Sequence, residues 1–399
     1  MYCVRKVSDD VFYVGGDDRR LALFENIHPI PSGVSYNSYV LLDESTVLVD
    51  TADWAIGRQF ISNVEHALAG RGLDYVVVNH VEPDHAAMLE EVLLRWPSAK
   101  VIATAKAFTF LEQFDINVAQ ENRIPVKEGD TQSFGKHEFT FVTANMVHWP
   151  EVMVSFDTSD GTLYSADAFG TFGALGGKLF ADEFDFDHDL LDDARNYYCN
   201  IVGKYGAQTQ KLLEKASGLD INMICPLHGP VWRKDMDVFI AKYDKWSTYT
   251  PEDPDDAVIF YASMYGGTES AAQFVSQRLN ENGTDARMYD VSSTPVTTLV
   301  GESFRAGKII IASVTYNFEI FPKMQDFLSD IKMLGLKNRT VGIMYNGTWA
   351  PRCGALLRDF FTKDMKDINI VGEDPYVKSA ATASDEEALT ALADEIAKA

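Results

Sequence analysis

Four side chains with metal-binding chemistry lie within six residues of one another, at the end of an apolar run. The segment Tyr75–His85 reads YVVVNHVEPDH and carries His80, Glu82, Asp84 and His85. Two pairs of ionisable groups at this spacing suit two metal ions better than one. Burying four such groups beside an apolar strand without a metal would cost much free energy. The segment therefore predicts a binuclear metal site.

Three further candidates stand at the ends of later apolar stretches. They are His148 in NMVHWP, Asp167 in LYSADAFG and His228 in CPLHGP. A lone histidine in an apolar setting is more often a hydrogen-bonded core residue than a metal ligand. We therefore predict that these three residues bind metal only because the cluster at residues 80–85 already indicates a metal site. Together the seven offer imidazoles and hard oxygen donors, with one carboxylate able to bridge. This mixture suits a non-haem pair of iron ions.

The elements around these residues must bring them together. Because Pro83 excludes one continuous helix through the first group, we predict that the group occupies a loop between a strand and a helix. Strands dominate at first and helices then interleave, which favours an αββα sandwich over a simple doubly wound sheet. The predicted strands are Asn37–Leu42, Thr46–Asp50, Tyr75–Asn79, Lys100–Ala103, Phe139–Thr143 and Thr162–Ser165, and the predicted helices are Ile56–Ala69, His85–Arg95 and Ala194–Ala216.

The composition changes at residues 247–256, which read STYTPEDPDD and hold two prolines and four acidic residues. This stretch predicts a boundary between two domains, 1–250 and 251–399. Beyond it, strands and helices alternate regularly, which is typical of an open parallel sheet with helices on both faces. The predicted strands are Ala257–Ala262, Ala286–Tyr289, Lys308–Ala312 and Thr340–Tyr345, and the helices begin near Glu269, Val296, Pro322, Gly354 and Asp385.

Three loops of the second domain predict a flavin site. The first is rich in glycine and hydroxyl groups and can wrap a phosphate at a helix N-terminus. The other two offer aromatic rings for an isoalloxazine and backbone groups for its polar edge. No element for a dinucleotide is apparent, which favours FMN over FAD. The candidates are Ser263, Met264, Tyr265, Gly266, Gly267 and Thr268; then Ser313, Thr315, Tyr316 and Asn317; then Asn346, Gly347, Thr348 and Trp349.

The net charge and the cysteine content exclude several classes of protein. With 59 acidic and 35 basic residues, the formal net charge is −24, and such a surface repels nucleic acids and anionic membranes. No apolar run could span a bilayer and no secretory signal is apparent, so we expect a cytoplasmic protein. The four cysteines form no C-x-x-C pair, which argues against disulfides and against a rubredoxin-like module, and we expect buried free thiols. They are Cys3, Cys199, Cys225 and Cys353.

The order H-x-E-x-D-H, followed by spaced His, Asp and His, resembles the metallo-β-lactamase-like domain of flavodiiron proteins, and the first loop of the second domain resembles a flavodoxin phosphate loop. Zinc hydrolases of the same superfamily carry H-x-H-x-D-H, and Glu82 in place of the second histidine favours iron. The resemblance implies that Asp167 bridges two irons. It implies His80, Glu82 and His148 on one iron, and Asp84, His85 and His228 on the other.

The resemblance also marks two departures and one further residue. Many relatives have a His-Gly pair in a loop lining the metal pocket, where this chain has Glu25 and Asn26. The third flavin loop differs from the glycine-rich version common in the family. Tyr198 resembles a pocket tyrosine of the family, although core packing is an open alternative. We expect His66, His137 and His188 to be surface or loop residues, and leave His28 open.

The implied activity is reduction of O2 to water or of NO to N2O, with electrons relayed through FMN from an external donor such as rubredoxin, a flavin reductase or reduced coenzyme F420. The implied assembly is a head-to-tail homodimer or a dimer of dimers. Three alternatives stay open: a zinc hydrolase fused to a flavodoxin, an electron-transfer protein with a degenerate metal domain, and a coenzyme F420 oxidase.

Overall fold

The computed structural model describes residues 1–399. By its contacts the chain divides into two compact units. The first comprises Met1–Tyr198 and Ala207–Tyr243, and the second comprises Cys199–Gly206 and Asp244–Ala399. Residues 199–206 and 244–250, which the sequence-based boundary at 250 assigns to the first domain, thus pack with the second unit.

Two sheets face each other in the first unit. One has three antiparallel pairings followed by three parallel ones, in the spatial order Arg5–Lys6, Val11–Tyr13, Tyr39–Leu42, Thr46–Val49, Tyr75–Val77, Lys100–Thr104 and Arg123–Val126. The other is antiparallel except for its last pairing, in the order Thr131–Ser133, Glu138–Thr143, Met153–Asp157, Thr162–Tyr164 and Met223–Cys225. Two small ribbons pair Gly16–Asp18 with Val34–Tyr36, and Leu23–Phe24 with His28–Pro29.

The core of this unit lies between the two sheets. Val49 and Val77 of the first sheet share one buried cluster with Phe141 and Met153 of the second. The strand residues 46–49 are buried on both faces, as expected for a central strand covered by a sheet on one side and by helices on the other. The helices are Gly57–Leu68, Pro83–Ala86, Leu89–Arg95, Ala105–Gln113, Leu191–Tyr197, Gly206–Ala216 and Met236–Ser247. The predicted αββα sandwich is confirmed.

Two predicted helices are interrupted in the structure. The segment predicted as His85–Arg95 forms two helices, Pro83–Ala86 and Leu89–Arg95. The segment predicted as Ala194–Ala216 is broken by a π-helical turn, Tyr198–Val202, and a short 3-10 turn, Gly203–Tyr205. Both predictions rested on local apolar pattern, which does not report the tertiary contacts that bend a helix.

The second unit is a parallel sheet with flavodoxin-like strand order 2-1-3-4-5. Its strands run spatially Ala286–Asp290, Asp253–Ala262, Ala306–Tyr316, Arg339–Asn346 and Ile368–Ile370. The short strands Glu319–Ile320 and Tyr376–Val377 pair with the third and fourth of these strands in chain order. The helices are Gly267–Glu281, Val296–Arg305, Pro322–Leu334, Cys353–Asp359 and Glu386–Lys398. The predicted doubly wound fold is confirmed, and its ligand crevice is expected at the carboxyl ends of these strands.

All four cysteines are free. Cys199, Cys225 and Cys353 are buried as predicted, whereas Cys3 is exposed, which corrects the expectation for that residue. None of the helices is both long and apolar enough to cross a bilayer.

Candidate metal centre and flavin site

The predicted metal ligands are carried by loops at the ends of strands. His80 and Glu82 follow the strand Tyr75–Val77, whereas Asp84 and His85 lie in the single helical turn Pro83–Ala86. Pro83 therefore starts a helix rather than prolonging the loop, because a proline is well suited to the first helical position, where its missing N–H is not needed. The loop prediction is right for the first pair and is corrected for the second.

Hydrogen bonds from neighbouring strands fix this loop. The Asp50 carboxylate accepts from the backbone N–H of Asn79 at 2.7 Å and from the Asn79 side-chain amide at 2.8 Å. The side-chain oxygen Oδ1 of Asn79 in turn accepts from the Ser155 hydroxyl at 2.7 Å. Burial raises the pKa of Asp50 to about 6. Sequence reasoning missed this network, because nothing near Asp50 in the sequence points to Asn79 or Ser155.

Four of the predicted ligands converge on one point. The Nε2 atoms of His80 and His148 lie 3.2 and 3.1 Å from Glu82 Oε2. Both also lie 3.2 Å from Asp167 Oδ2. The side chains are buried, with Glu82 the most exposed at 14%. We call this set the first metal group.

The other three predicted ligands converge on a neighbouring point. The Nε2 atoms of His85 and His228 each lie 3.3 Å from Asp84 Oδ2. They lie 3.2 and 3.6 Å from Asp167 Oδ1. We call Asp84, His85 and His228 the second metal group. Asp167 therefore presents one oxygen to each group, so all seven predicted residues are brought together.

The donor set fits a pair of metal ions. Metal–ligand bonds of about 2.0–2.2 Å place neighbouring donors roughly 3 Å apart, close to the spacings seen here. Both carboxylate oxygens of Asp84 and Oδ1 of Asp167 are buried without a hydrogen-bond partner. Such atoms are costly to bury unless a cation satisfies them. The imidazole and carboxylate donors together suit iron.

The pKa values describe the groups without metal. Burial disfavours charge on His80, but Asp167 and the other neighbouring carboxylates outweigh it and raise its pKa. Burial likewise opposes charge on Asp167, and His80 and His85 overcome it, so that its pKa falls far below the usual value. For His148, burial is outweighed by Asp167 and Glu82, and its pKa rises to about 9. The histidines must lose these protons when a metal binds.

Glu25 lies beside the first metal group. Burial and the nearby Glu82 carboxylate raise the pKa of Glu25 to about 7. Its Oε2 is 3.8 Å from Nε2 of His28, which is itself buried, and burial lowers the pKa of His28 to about 4. The departure noted at Glu25 and Asn26 thus places a carboxyl group at the metal pocket.

Tyr197, the neighbour of the predicted Tyr198, packs against a histidine of the second metal group. The Tyr197 ring lies 5.4 Å from the His228 ring, and its hydroxyl is buried without a hydrogen-bond partner. Asp167 contributes to raising its pKa, after burial. Tyr198 packs at 4.9 Å against Tyr243. The helix phase at 197–198 decides which ring faces the ligands, and the sequence NYYCN does not reveal that phase.

A third cluster of ionisable groups comprises His137, Asp157 and Asp160. The ring Nδ1 of His137 lies 2.5 Å from Asp157 Oδ2, and its Nε2 lies 3.3 Å from Asp10 Oδ2. Both nitrogens thus face carboxylates, and the hydrogen bond to Asp157 is the main cause that raises the pKa of His137 to about 9. His137 lies in the loop between the strands Thr131–Ser133 and Glu138–Thr143, as expected, but its side chain is buried. His66 and His188 are exposed, as expected.

The predicted flavin loops line two adjoining cavities of the second unit. One, of about 470 Å³, is lined by residues 263–268 and by Asn346 and Thr348. The other, of about 220 Å³, is lined by residues 315–318 and by Gly347 and Trp349. Ser313 is the one predicted flavin residue outside both linings, because it lies fully buried within the strand Ala306–Tyr316. That strand is longer than predicted and carries Thr315 and Tyr316 as well.

A fourth loop, which sequence reasoning missed, closes the larger cavity. Ser379, Ala380 and Ala381 line it, and the Asn346 side-chain amide donates to the Ser379 carbonyl at 2.8 Å. A Cβ atom on Gly267 would overlap that carbonyl oxygen, so only glycine permits this approach. The loop follows the short strand Tyr376–Val377, whose two residues are too few to give a periodic signal.

Comparisons with known proteins agree with both halves of the chain. The sequence model of the ODP family of beta lactamases matches residues 34–229, and that of flavodoxin matches residues 259–356. The anaerobic nitric oxide reductase flavorubredoxin of Aeromonas hydrophila is 30% identical over 349 residues, which are 86% of this chain and 70% of the relative. The flavorubredoxin of Vibrio vulnificus is 31% identical, over 88% of this chain and 72% of the relative.

Solved structures extend the similarity to the whole chain. The rubredoxin oxygen:oxidoreductase of Desulfovibrio gigas superposes with a TM-score of 0.90 at 29% identity, covering 99% of this chain and 98% of the other. The flavodiiron protein of Giardia intestinalis superposes with a TM-score of 0.90 at 25% identity, covering 99% and 96%.

A metallo-β-lactamase-like domain that gathers seven residues able to hold metal ions, followed by a flavodoxin-like domain, defines a two-domain redox metalloprotein. The chain belongs to the flavodiiron family of oxidoreductases. Its cofactors are accordingly FMN and a non-haem pair of irons.

Proposed function

We propose that this chain reduces O2 to water, NO to N2O, or both, at the two metal groups, with electrons that reach them through FMN. The observation that carries the proposal is the Asp167 carboxylate, which offers Oδ2 to His80 and His148 and Oδ1 to His85 and His228. Two clusters of donors joined by one carboxylate are suited to two ions that act on one small molecule.

The proposed ligands divide as the two groups do. His80, Glu82 and His148 would hold one iron, Asp84, His85 and His228 would hold the other, and Asp167 would be shared by both. When bound, the reduced irons supply electrons and open coordination positions for a small oxidant. Oxygen ligands at Glu82, Asp84 and Asp167 favour iron over the zinc of related hydrolases. The relatives named as nitric oxide reductase and oxygen:oxidoreductase also favour this reaction class over a hydrolase.

The chain's own residues keep water out and hold protons near the site. The ligand side chains are almost wholly buried, so that a small neutral molecule meets a dry, charged pocket. The Glu25 carboxyl, whose pKa burial and the Glu82 carboxylate raise to about 7, and the Tyr197 hydroxyl both lie beside the metal groups. Both reactions consume protons, so these groups are the proposed local proton sources.

FMN is proposed to occupy the two cavities of the flavodoxin-like unit. Its phosphate would meet Ser263, Gly267 and Thr268 at the N-terminus of the helix Gly267–Glu281, where backbone N–H groups and the helix dipole favour an anion. Its ring would lie against the smaller cavity, beside Tyr316 and Trp349.

The electron donor is proposed to be a separate protein or reduced cofactor, and a cytoplasmic location stays a prediction. The names of the relatives point to rubredoxin as the donor class; a flavin reductase and reduced coenzyme F420 are the other donors to compare. We further propose a head-to-tail dimer in which the FMN of one chain serves the irons of the other. Tyr265, Phe318 and Trp349, all exposed around the flavin cavities, provide an apolar rim for such a contact.

Anaerobic turnover tests the proposal directly. Iron, zinc and flavin are first quantified in the purified chain, and the reduced protein is then given O2 and NO in separate experiments. We expect about two irons and one FMN per chain, and consumption of at least one gas. About two zinc ions and no iron would refute the diiron assignment, and absence of any gas consumption by the iron-loaded, reduced protein would refute the activity.

A further inference from the structure

His80 is the metal-group histidine whose second ring nitrogen meets a buried carboxylate. Its Nδ1 lies 2.7 Å from Oε1 of Glu151, and both side chains are fully buried. The same carboxylate oxygen accepts from the backbone N–H of Val81 at 3.2 Å. The Trp149 ring packs edge-on against the His80 ring at 5.4 Å. The His80 ring is thereby held in one orientation.

The histidines of the second metal group lack such a partner. His228 Nδ1 donates at 2.8 Å to the backbone carbonyl of Ser35, which carries no charge. His85 Nδ1 is buried without a hydrogen-bond partner. The two groups thus differ in the partner of the ring nitrogen that faces away from the metal position: a carboxylate at His80, and no charged group at His85 or His228.

Glu151 is expected to lower the stability of the fold rather than to raise it. Its second oxygen, Oε2, is buried and has no hydrogen-bond partner. An unsatisfied buried carboxylate oxygen is destabilising, and a neutral side chain could accept the same bonds at Oε1. The feature that a neutral side chain could not reproduce is the negative charge behind His80.

A carboxylate on the outer nitrogen of a ligand histidine fixes its tautomer and makes it a stronger donor. It also adds negative charge near the ion that the histidine holds. Glu82 and Glu151 directly contact imidazoles of the first group, besides the shared Asp167, whereas Asp84 and Asp167 are the carboxylates that directly contact those of the second. We propose that Glu151 makes the two metal positions unequal, so that the first group binds a divalent ion more tightly and fills first. This inference rests on the proposed assignment of the metal ligands.

Variants that each keep one position separate the two affinities. His228→Ala leaves the first group intact and His148→Ala leaves the second. Each metal-free chain is titrated with Co²⁺ against a competing chelator, and circular dichroism checks that the variants are folded. We expect His228→Ala to bind one Co²⁺ at least tenfold more tightly than His148→Ala does.

Glu151→Gln is then added to each variant, since glutamine keeps the shape and the acceptor oxygen but removes the charge. We expect the affinity of the first position to fall about 10–100-fold and that of the second to stay within about threefold. The matched control is Asp157→Asn, which removes the charge from another buried histidine–carboxylate pair of the same unit and should change neither affinity.

An equal loss at both positions would mean that Glu151 only supports the fold, and no loss at the first position would overturn the proposal as well. The proposed function fails separately. It fails if the unsubstituted chain binds no divalent ion, or if the iron-loaded, reduced chain consumes neither gas. Cobalt binding requires no turnover, so unequal Co²⁺ affinities that respond to Glu151 support the inference even where the activity is absent.

Discussion

At the scale of single residues, Asp167 decides whether there are one or two metal positions. Its two oxygens face different histidine pairs, and Oδ1 has no hydrogen-bond partner in the absence of an ion. We predict that Asp167→Ala lowers the iron content from about two to below one per chain, because both groups lose an anionic donor. His228→Ala should lower it by about one. Elemental analysis of the purified variants measures both, and retention of two irons by either variant would contradict the assignment.

Tyr197 offers a residue-scale test of which neighbouring tyrosine serves the pocket. Its buried hydroxyl has no partner in the protein, so a molecule bound at the metals is the available acceptor. We predict that Tyr197→Phe lowers turnover about five- to tenfold, the worth of one hydrogen bond of about 1–1.4 kcal/mol, without changing iron or FMN content. Tyr198→Phe is the matched comparison and should keep turnover within about twofold. A loss with Tyr198→Phe alone would restore the sequence-based choice.

His137 gives the fold a pH dependence of its own. Its pKa rises from 6.5 to about 9 in the folded chain, mainly through the hydrogen bond to Asp157, so the folded state holds a proton that the unfolded chain releases. The stabilisation is complete below pH 6.5 and is lost as the pH rises through 9. The slope cannot exceed about 1.4 kcal/mol per pH unit for one proton.

We therefore predict that His137→Asn lowers the melting temperature most at pH 6–7, and that its difference from the unsubstituted protein shrinks towards pH 9.5. Melting curves at several pH values measure this. His188→Asn is the control, because the His188 side chain is 85% exposed and should contribute little. A difference that is the same at every pH would show that His137 acts by packing alone.

At the scale of elements, the flavin site depends on how closely two loops approach. The start of the helix Gly267–Glu281 lies against the Ser379 loop. The side-chain amide of Asn346, at the end of the strand Arg339–Asn346, donates a hydrogen bond to the Ser379 carbonyl in that loop. The backbone of these loops is thus part of the binding surface. Position 267 requires glycine because any side chain there would overlap the backbone of Ser379.

We predict that Gly267→Ala weakens FMN binding about tenfold or more, because the added methyl group must push the Ser379 loop away at a cost of about 1–3 kcal/mol. Flavin fluorescence during titration of the FMN-free protein measures the affinity. Gly283→Ala lies in the same unit, where an added Cβ meets no neighbour, and it should reduce stability slightly without changing FMN affinity. Equal affinity for all three proteins would contradict the crowding argument.

At the scale of the whole molecule, the proposed head-to-tail pairing makes each chain depend on its partner. We predict that two inactive variants restore activity when they are mixed. Asp167→Ala disrupts the iron pair but keeps FMN, and Gly267→Val prevents FMN binding but keeps the irons. In a head-to-tail heterodimer, one complete pair of cofactors remains, so activity should approach half of that of the unsubstituted protein per dimer.

Mixing requires that the chains exchange partners, which native mass spectrometry can establish beforehand. Each variant mixed with itself is the control and should stay inactive. Heterodimers that form without regaining activity would refute transfer between chains, and a fully active monomer at high dilution would refute the dependence on pairing.

The sequence determined the parts of this protein that are local or that repeat with a fixed period. Alternating strands and helices specified a doubly wound second domain, and the order H-x-E-x-D-H specified a pair of metal positions rather than one. Glu82 indicated iron, since a carboxylate replaces the imidazole of zinc hydrolases. These features can be predicted from the sequence because each depends on residue type and on spacing along a single segment.

The tertiary structure alone decided the features in which distant segments meet. Glu151 lies 71 residues from His80, and Asp50 lies 29 residues from Asn79, yet both pairs are in hydrogen-bonding contact. The fold placed Tyr197 against His228, buried the side chain of His137 and brought the Ser379 loop to Gly267. A linear pattern cannot report such contacts, because the packing that closes these long loops is a property of the whole fold.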